Sequence, residues 1–312
     1  MIYLKIIKCG KDALKNYESR LNLYDEIKSY DEQVILVVSA FNDSPYSTNS
    51  LKSLLTNNYS IEMEQEMIVI GEIISSLRVC NELLNKYIDA TLMYKNEIGI
   101  YVEFTDKMEH IIKIDKESIK SKLENHKVMV VPGFIGISQN NKIVSLNKNG
   151  SDLTAVIMAN VFDCKDVYLY KNVLGLSSIS PHVYKEYKLY RSVNYDLMLQ
   201  SIAHGNDLIQ EEALRFAKDN EIQVHIQNYL NHDNETTITK FVNEKVVIFQ
   251  LKDNEIYIDG YNNKEQIENI LRLNNYEFDY ILPCNSFIKV VCKSNVKKIL
   301  LYLHDLYLKG EL

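Results

Sequence analysis

The run "SLNKNGSDLTAVIMA" at residues 145–159 sets six turn- and cap-forming residues, Asn147, Lys148, Asn149, Gly150, Ser151 and Asp152, between Leu146 and an apolar stretch that begins at Ala155. That pattern predicts a helix N-terminus. Its backbone N–H groups and the positive end of the helix dipole make such a terminus a receptor for anions. Taken alone, Ser151 and Asp152 are by default an N-cap pair. Three other residues have chemical potential but bland default readings. Lys8 closes the strand-like "IYLKIIK" and is followed by Cys9, Gly10 and Lys11; a lone lysine there is ordinarily solvated. Glu72, next to Gly71 in a helical pattern, would ordinarily lie on a wet face. Cys9 is expected to be a small filler, not a reactive thiol.

The chain that must position these residues has 312 amino acids, about two domains' worth, with 46% hydrophobic and 25% charged residues. That balance suits a soluble protein with a real core. A net charge of −7 disfavours nucleic acid and anionic membranes as partners. The five cysteines (Cys9, Cys80, Cys164, Cys284, Cys292) are odd in number and form no CxxC pair. Such usage fits a reducing cytosol and argues against a structural metal site. "MIYLKIIKCGK" is expected to be a first strand and not a signal peptide. No apolar run approaches the roughly 20 residues a bilayer span needs. A cytoplasmic protein with no membrane contact is the expectation.

Strand-like and helical patterns alternate along most of the length. Strands are expected at 2–8, 33–41, 90–95, 127–138 (with an internal turn), 166–171 and 222–228, and helices near 11–28, 62–86, 194–203 and 206–219. "QVILVVSAF" is apolar throughout, as in a parallel strand buried on both faces. The helix near 62–86 has Met67, Ile70, Ile74, Leu77 and Leu84 along one face. Repeated βα units predict a mostly parallel sheet with helices on both sides, whose ligands sit at the carboxyl ends of the strands. The polar "NHDNETT" at 231–237 interrupts the pattern. Beyond it, strand 245–252, helix 263–275, strands 278–283 and 286–293, and helix 295–309 form a βαββα unit, small for a solitary domain.

Eight short segments occur in order along nearly the whole chain: "KCGKDA", "VVSAF", "VIGEIISS", "KNEIGIYV", "VVPGFIG", "LNKNGSDLTA", "YKNVLGLSSISPHV" and "NYDLMLQSIAHGNDLIQEEAL". Together they resemble the aspartokinases of the amino-acid kinase superfamily. The first stands at that family's K-F-G-G-T-S loop, the third at its S-x-G-E helix, and the sixth at its L-G-R-G-G-S-D-x-T-A turn. The resemblance implies a three-layer α/β sandwich with a mostly parallel central sheet over residues 1–235. A small α+β, ACT-like module follows over 236–312. It implies transfer of the γ-phosphoryl group of MgATP to the side-chain carboxylate of aspartate or a related amino acid, so ATP and Mg2+ are the expected cofactors. Lys8 would neutralise charge on the phosphoryl oxygens, and Asp152 would orient Lys8. Ser39, Glu72, Lys148, Gly150 and Ser151 would hold a small acidic amino acid, Glu72 at its amino group. Gly10, Lys11, Lys171, Asn172, Gly175 and Pro181 would face the nucleotide. No protein-held metal is implied.

The departures from the family pattern fall on the nucleotide side. Family G-G-T-S is Gly10-Lys11-Asp12-Ala13, family T-D is Lys171-Asn172, a tyrosine is Ser177, and the lysine of G-A-K is Asp207. Lys148 replaces an arginine that clamps a carboxylate, which keeps the charge but loses the bidentate fork. Two activities are therefore expected to compete. One is aspartokinase-type catalysis with a rewired ATP site. The other is a catalytically degenerate homologue that binds an amino acid or serves as a partner subunit. The terminal module, without a G-x-x-x-P-G effector loop, is expected to support a homodimer or heteromer.

Overall fold

The computed structural model describes residues 4–41, 45–105, 108–146 and 150–312. In chain order the first stretch contains β1 (Leu4–Cys9), α1 (Tyr17–Ser29), β2 (Gln33–Val38), α2 (Thr48–Lys52), α3 (Ile61–Asn85) and β3 (Ala90–Leu92). Next come β4 (Ile100–Thr105), β5 (Met108–Ile114), α4 (Lys116–Leu123), β6 (Val128–Pro132), β7 (Ile135–Ser138), β8 (Ile143–Ser145), α5 (Ser151–Val161) and β9 (Asp166–Lys171). Then follow β10 (Leu176–Ser177), β11 (Leu189–Tyr190), β12 (Ser192–Asn194), α6 (Tyr195–Ala203), α7 (Glu211–Asp219), β13 (Gln223–Asn228) and β14 (Glu235–Thr239). The chain ends with β15 (Ile248–Lys252), β16 (Glu255–Asp259), α8 (Lys264–Leu273), β17 (Phe278–Pro283), β18 (Phe287–Cys292) and α9 (Val296–Lys309). Two compact units divide it: 1–174 with 212–235, and 175–211 with 236–312.

In the first unit the strands β13-β9-β1-β2-β6-β3 lie side by side, and every neighbouring pair is parallel. Burial of both faces explains the unbroken apolar run of β2, in which Val34 through Val38 are fully buried. Ile7, Cys9, Val34, Leu36 and Val38 pack with Leu23, Tyr24 and Ile27 of α1 and Val79, Cys80 and Leu83 of α3. On the opposite face α5 lies across β1, β2 and β9. These are the three layers of the expected sandwich. A smaller mixed sheet, β5-β4-β7-β8, stands apart from the central one. Its β4–β5 hairpin and helix α4 carry no clear alternation and are absent from the sequence expectation. Helix α1 also starts later than expected, because Asn16 caps it by accepting from the Ser19 N–H at 2.8 Å.

In the second unit β15-β16-β18-β17 form an antiparallel sheet. Its inner residues, Ile256, Ile258, Ile288 and Val290, share a core with Ile267 and Leu271 of α8 and Ile299, Leu300 and Leu303 of α9. The order is ββαββα, not βαββα: the chain turns at Asp253, whose φ is +55°, and returns as β16. The segment 175–211 belongs to this unit, together with the β12–β14 parallel pair. Among the described residues no helix is long and apolar enough to cross a membrane.

Candidate active site

Parallel pairing brings the carboxyl ends of β1, β2 and β9 to one edge of the sheet, with Cys9 opposite both Val38 and Tyr170. The N-terminus of α5 points at the same edge. Its N-cap is Gly150, which has no side chain with which to cap the first turn. The default reading of Ser151 and Asp152 as capping residues is thus corrected: they are the first two helical residues, and both are buried. A side chain at 150 is excluded, because a Cβ there would lie 1.9 Å from the carbonyl oxygen of Leu146. Thr154 braces the turn by donating to the Gly150 carbonyl at 3.1 Å and accepting the Phe134 N–H at 3.1 Å.

Lys8 Nζ stands 2.9 Å from Asp152 Oδ1, and Lys171 Nζ stands 2.8 Å from Asp152 Oδ2. Lys8 and Asp152 are 7% and 3% exposed, so this is a buried ionic centre, not a surface bridge. Burial alone would raise the Asp152 carboxyl, but the charges of Lys171 and Lys8 hold it well below the usual carboxylate range. Two ammonium groups share one carboxylate, directly beside the first backbone N–H groups of α5, which the N-cap Gly150 has no side chain to cover. An arrangement of this kind favours a further anion. Gly10 adds room: a Cβ there would sit 3.6 Å from Lys8 Nζ and 3.3 Å from the Tyr170 carbonyl.

The other wall is polar in a different way. Ser39 donates to Ser151 Oγ at 3.0 Å, and its own N–H bonds the Cys9 carbonyl at 3.3 Å. The next residue, Ala40, donates its backbone N–H to Glu72. Glu72 lies on the inner side of α3 and is 5% exposed, which overturns the solvated-face default. Burial pushes its carboxyl up to about 8, against the Ala40 hydrogen bond and the charge of Lys8. Glu72 Oε2 is buried without a hydrogen-bond partner among the described residues. Such an oxygen is costly unless something supplies a donor.

Lys8, Gly10, Ser39, Glu72, Gly150, Ser151, Asp152 and Lys171 therefore share one locality. Lys11 and Asn172 are exposed on the first unit. Gly175 and Pro181 belong to the second unit, where the Leu176 N–H bonds Thr236 Oγ1 at 2.8 Å. Lys148 lies outside the described residues. Sequence reasoning missed the Ala40 amide and the loop anchor Arg20, which is buried, donates to the Leu14 carbonyl at 2.9 Å and pairs with Glu82 at 2.7 Å. The amide has no side-chain signature; the arginine could have been flagged as a charge inside an otherwise helical pattern. Among the described residues no three His, Cys, Asp or Glu side chains converge as a metal cage.

Residues 4–228 match the model of the amino acid kinase family. Aspartokinase 1 of Bacillus subtilis (strain 168) is 26% identical over 253 residues, which cover 78% of this chain and 63% of that protein. The chain thus spans less than two thirds of that relative's length. Among solved structures, Escherichia coli aspartokinase III with lysine and aspartate (T-state) superposes with a TM-score of 0.68 at 14% identity, covering 96% of this chain and 83% of that one. The same enzyme with aspartate and ADP (R-state) gives 0.67 at 15% identity, with the same coverage.

Proposed function

The chain belongs to the amino acid kinase family, and we propose that it moves the γ-phosphoryl group of MgATP to the side-chain carboxylate of aspartate or a closely related amino acid. The observation that carries this reading is the Lys8–Asp152–Lys171 centre under the uncapped start of α5. Phosphoryl transfer asks a protein mainly for positioning and for neutralisation of charge on the phosphoryl oxygens. Asp152 keeps Lys8 and Lys171 together on one carboxylate at the N-terminus of α5, where a bound anion would meet the first amides of the helix. The room beside Gly10 and the side-chain-free Gly150 suits a phosphate close to the backbone. Mg2+, when bound, offsets phosphate charge; such ions commonly arrive on the phosphates with one or two carboxylates.

At the acceptor end, Glu72 Oε2 is placed to accept from an α-ammonium group, which would return the carboxyl to its ionised form. Ser39 and Ser151 would hold the acceptor's oxygens. One solved relative, named for its complex with aspartate and ADP, supports the same substrate pair. A second reading, a degenerate homologue that binds the amino acid alone, draws on Asp12, Ala13 and Asp207, which stand where the family has two hydroxyls and a lysine. We assign 236–312 to an ACT-like module on its antiparallel sheet with two helices.

Calorimetry of the purified protein with millimolar MgATP, followed by an ATP-consumption assay with and without aspartate, decides between the readings. The kinase reading expects binding, aspartate-dependent turnover, and loss of turnover in Lys8→Ala. No heat with MgATP, while aspartate still raises the melting temperature, leaves the binding module in its place.

A further inference from the structure

Helix α1 turns Arg20, Leu23, Tyr24 and Ile27 into the core, the spacing of an apolar stripe with a guanidinium at its first position. Arg20 is 2% exposed. Its Nε and Nη2 donate to the two carboxylate oxygens of Glu82 on α3 at 2.7 and 3.0 Å, and its Nη1 donates to the Leu14 carbonyl at 2.9 Å. Its Cζ also lies 4.8 Å from the centre of the Phe41 ring. Glu82 is held further by the Tyr24 hydroxyl at 2.8 Å and by Arg78 Nε at 2.9 Å. For stability alone this is a poor use of a core position, because apolar residues of similar volume often serve as well as a buried ion pair, or better. What an apolar residue cannot do is grip a carboxylate, a carbonyl and a ring at once.

The groups that Arg20 grips belong to the two loops that carry the site. Leu14 ends the loop that follows Lys8, and the near end of that loop is fixed by the Gly10 N–H on the Tyr170 carbonyl at 3.3 Å. Phe41 directly follows Ser39 and Ala40, and its N–H bonds Ser75 Oγ at 3.0 Å, one turn of α3 from Glu72. Glu82 stands on that same helix. We propose that Arg20 is a positioning residue, which sets the phosphate-side loop 10–14 against the acceptor-side loop 39–41 with α3 as their common reference. Its consequence for turnover rests on the kinase reading; the coupling of the two loops rests on the geometry alone. Reacting groups misplaced by about 1 Å can cost about 100-fold in rate. Arg20→Lys keeps the charge but has neither the fork that fits Glu82 nor a flat face for Phe41. The two loops should then move independently while each substrate keeps its own contacts.

Hydrogen exchange read by mass spectrometry on the full-length protein tests the coupling. All three amides of 39–41 are bonded, to the Cys9 carbonyl, Glu72 and Ser75, so their release is measurable. In Arg20→Lys the amides of 10–16 and of 39–41 should both exchange at least about tenfold faster, with β1, β2 and β6 at the wild-type rate. In the aspartate-dependent ATP assay its kcat should fall about 10–100-fold, with both KM values within about threefold, since alignment is lost and binding is not. Phe41→Leu keeps every charge and should free 39–41 alone; it decides the question if Arg20→Lys does not fold. Faster exchange throughout the sheet in Arg20→Lys, faster exchange in one loop only, or a kcat equal to the wild type's overturns the proposal. So does Phe41→Leu with 39–41 protected as in the wild type. A wild-type protein without turnover overturns the kinase reading instead, and paired release of the two loops then still supports their coupling through Arg20.

Discussion

Asp152 and Glu72 are both buried carboxylates that feel Lys8, yet their environments pull them in opposite directions. Asp152 holds Lys8 and Lys171 at hydrogen-bond distance and is kept ionised far below the ordinary range. Glu72 receives one backbone N–H, leaves Oε2 without a hydrogen-bond partner among the described residues, and is pushed up to about 8. The difference separates two jobs. A carboxylate whose counter-charges come from its own chain is part of the scaffold. One with a buried oxygen left unsatisfied among the described residues has room for a donor that a ligand would bring. Each variant below removes one side of that contrast.

The largest effect is expected from Asp152→Asn. It leaves two lysines facing each other with no carboxylate between them, a loss of about 3–5 kcal/mol when a buried pair is broken. Urea unfolding at pH 7 should show the drop. A variant as stable as the wild type would mean that the centre opens to water and that Asp152 is not scaffold.

Glu72→Gln should act in the opposite sense. Because the folded carboxyl titrates higher than the unfolded one, its contribution to stability is fully present below about 4.5 and is lost as pH rises through about 8. The wild type should therefore lose about 1–3 kcal/mol across that window, the cost of an unsatisfied buried polar group. The glutamine variant should not show this loss. At pH 8 it should be the more stable protein and should lack the melting-temperature rise expected of the wild type with aspartate. A parallel pH profile for the two proteins would break the contrast.

Much of the fold was legible because it rests on runs of apolar residues. "QVILVV" could only be a strand with both faces covered, and the order of βα units followed from such runs. The β4–β5 hairpin and β16 were not legible: "KDNEIYIDG" falls between an expected strand and an expected helix, and the turn that makes it a strand depends on one left-handed residue, Asp253. At the site, the pairing of Lys8 with Asp152 could be expected from a family resemblance and is present as a direct ion pair. The burial of Glu72 could not be expected, because the periodic apolar residues of α3 mark the opposite face. Nor could the bond from Lys171 to Asp152 be read from its place at the end of β9, where the resemblance implies only a nucleotide-facing residue.

Lys171 gives the smallest and sharpest test. Its side chain keeps 18% of its exposure, so a Lys171→Met variant should lose about 1.5 kcal/mol, the low end for a hydrogen bond to a charged group. Lys8 would still hold Asp152, and the fold should survive. With one counter-charge gone, the folded carboxyl moves back toward its unfolded value. The stability Asp152 supplies is present above the unfolded range near 3.8 and is lost as pH falls through the folded one, so in the variant this acid limb should be shallower. If Lys171 also stands in for the cation lost at Asp207, the variant should raise the KM for MgATP several-fold and leave that for aspartate near the wild-type value. A shallower acid limb with both KM values unchanged would make Lys171 scaffold alone. Unchanged stability with a raised KM for MgATP would instead mean that the 2.8 Å contact contributes nothing net to the fold.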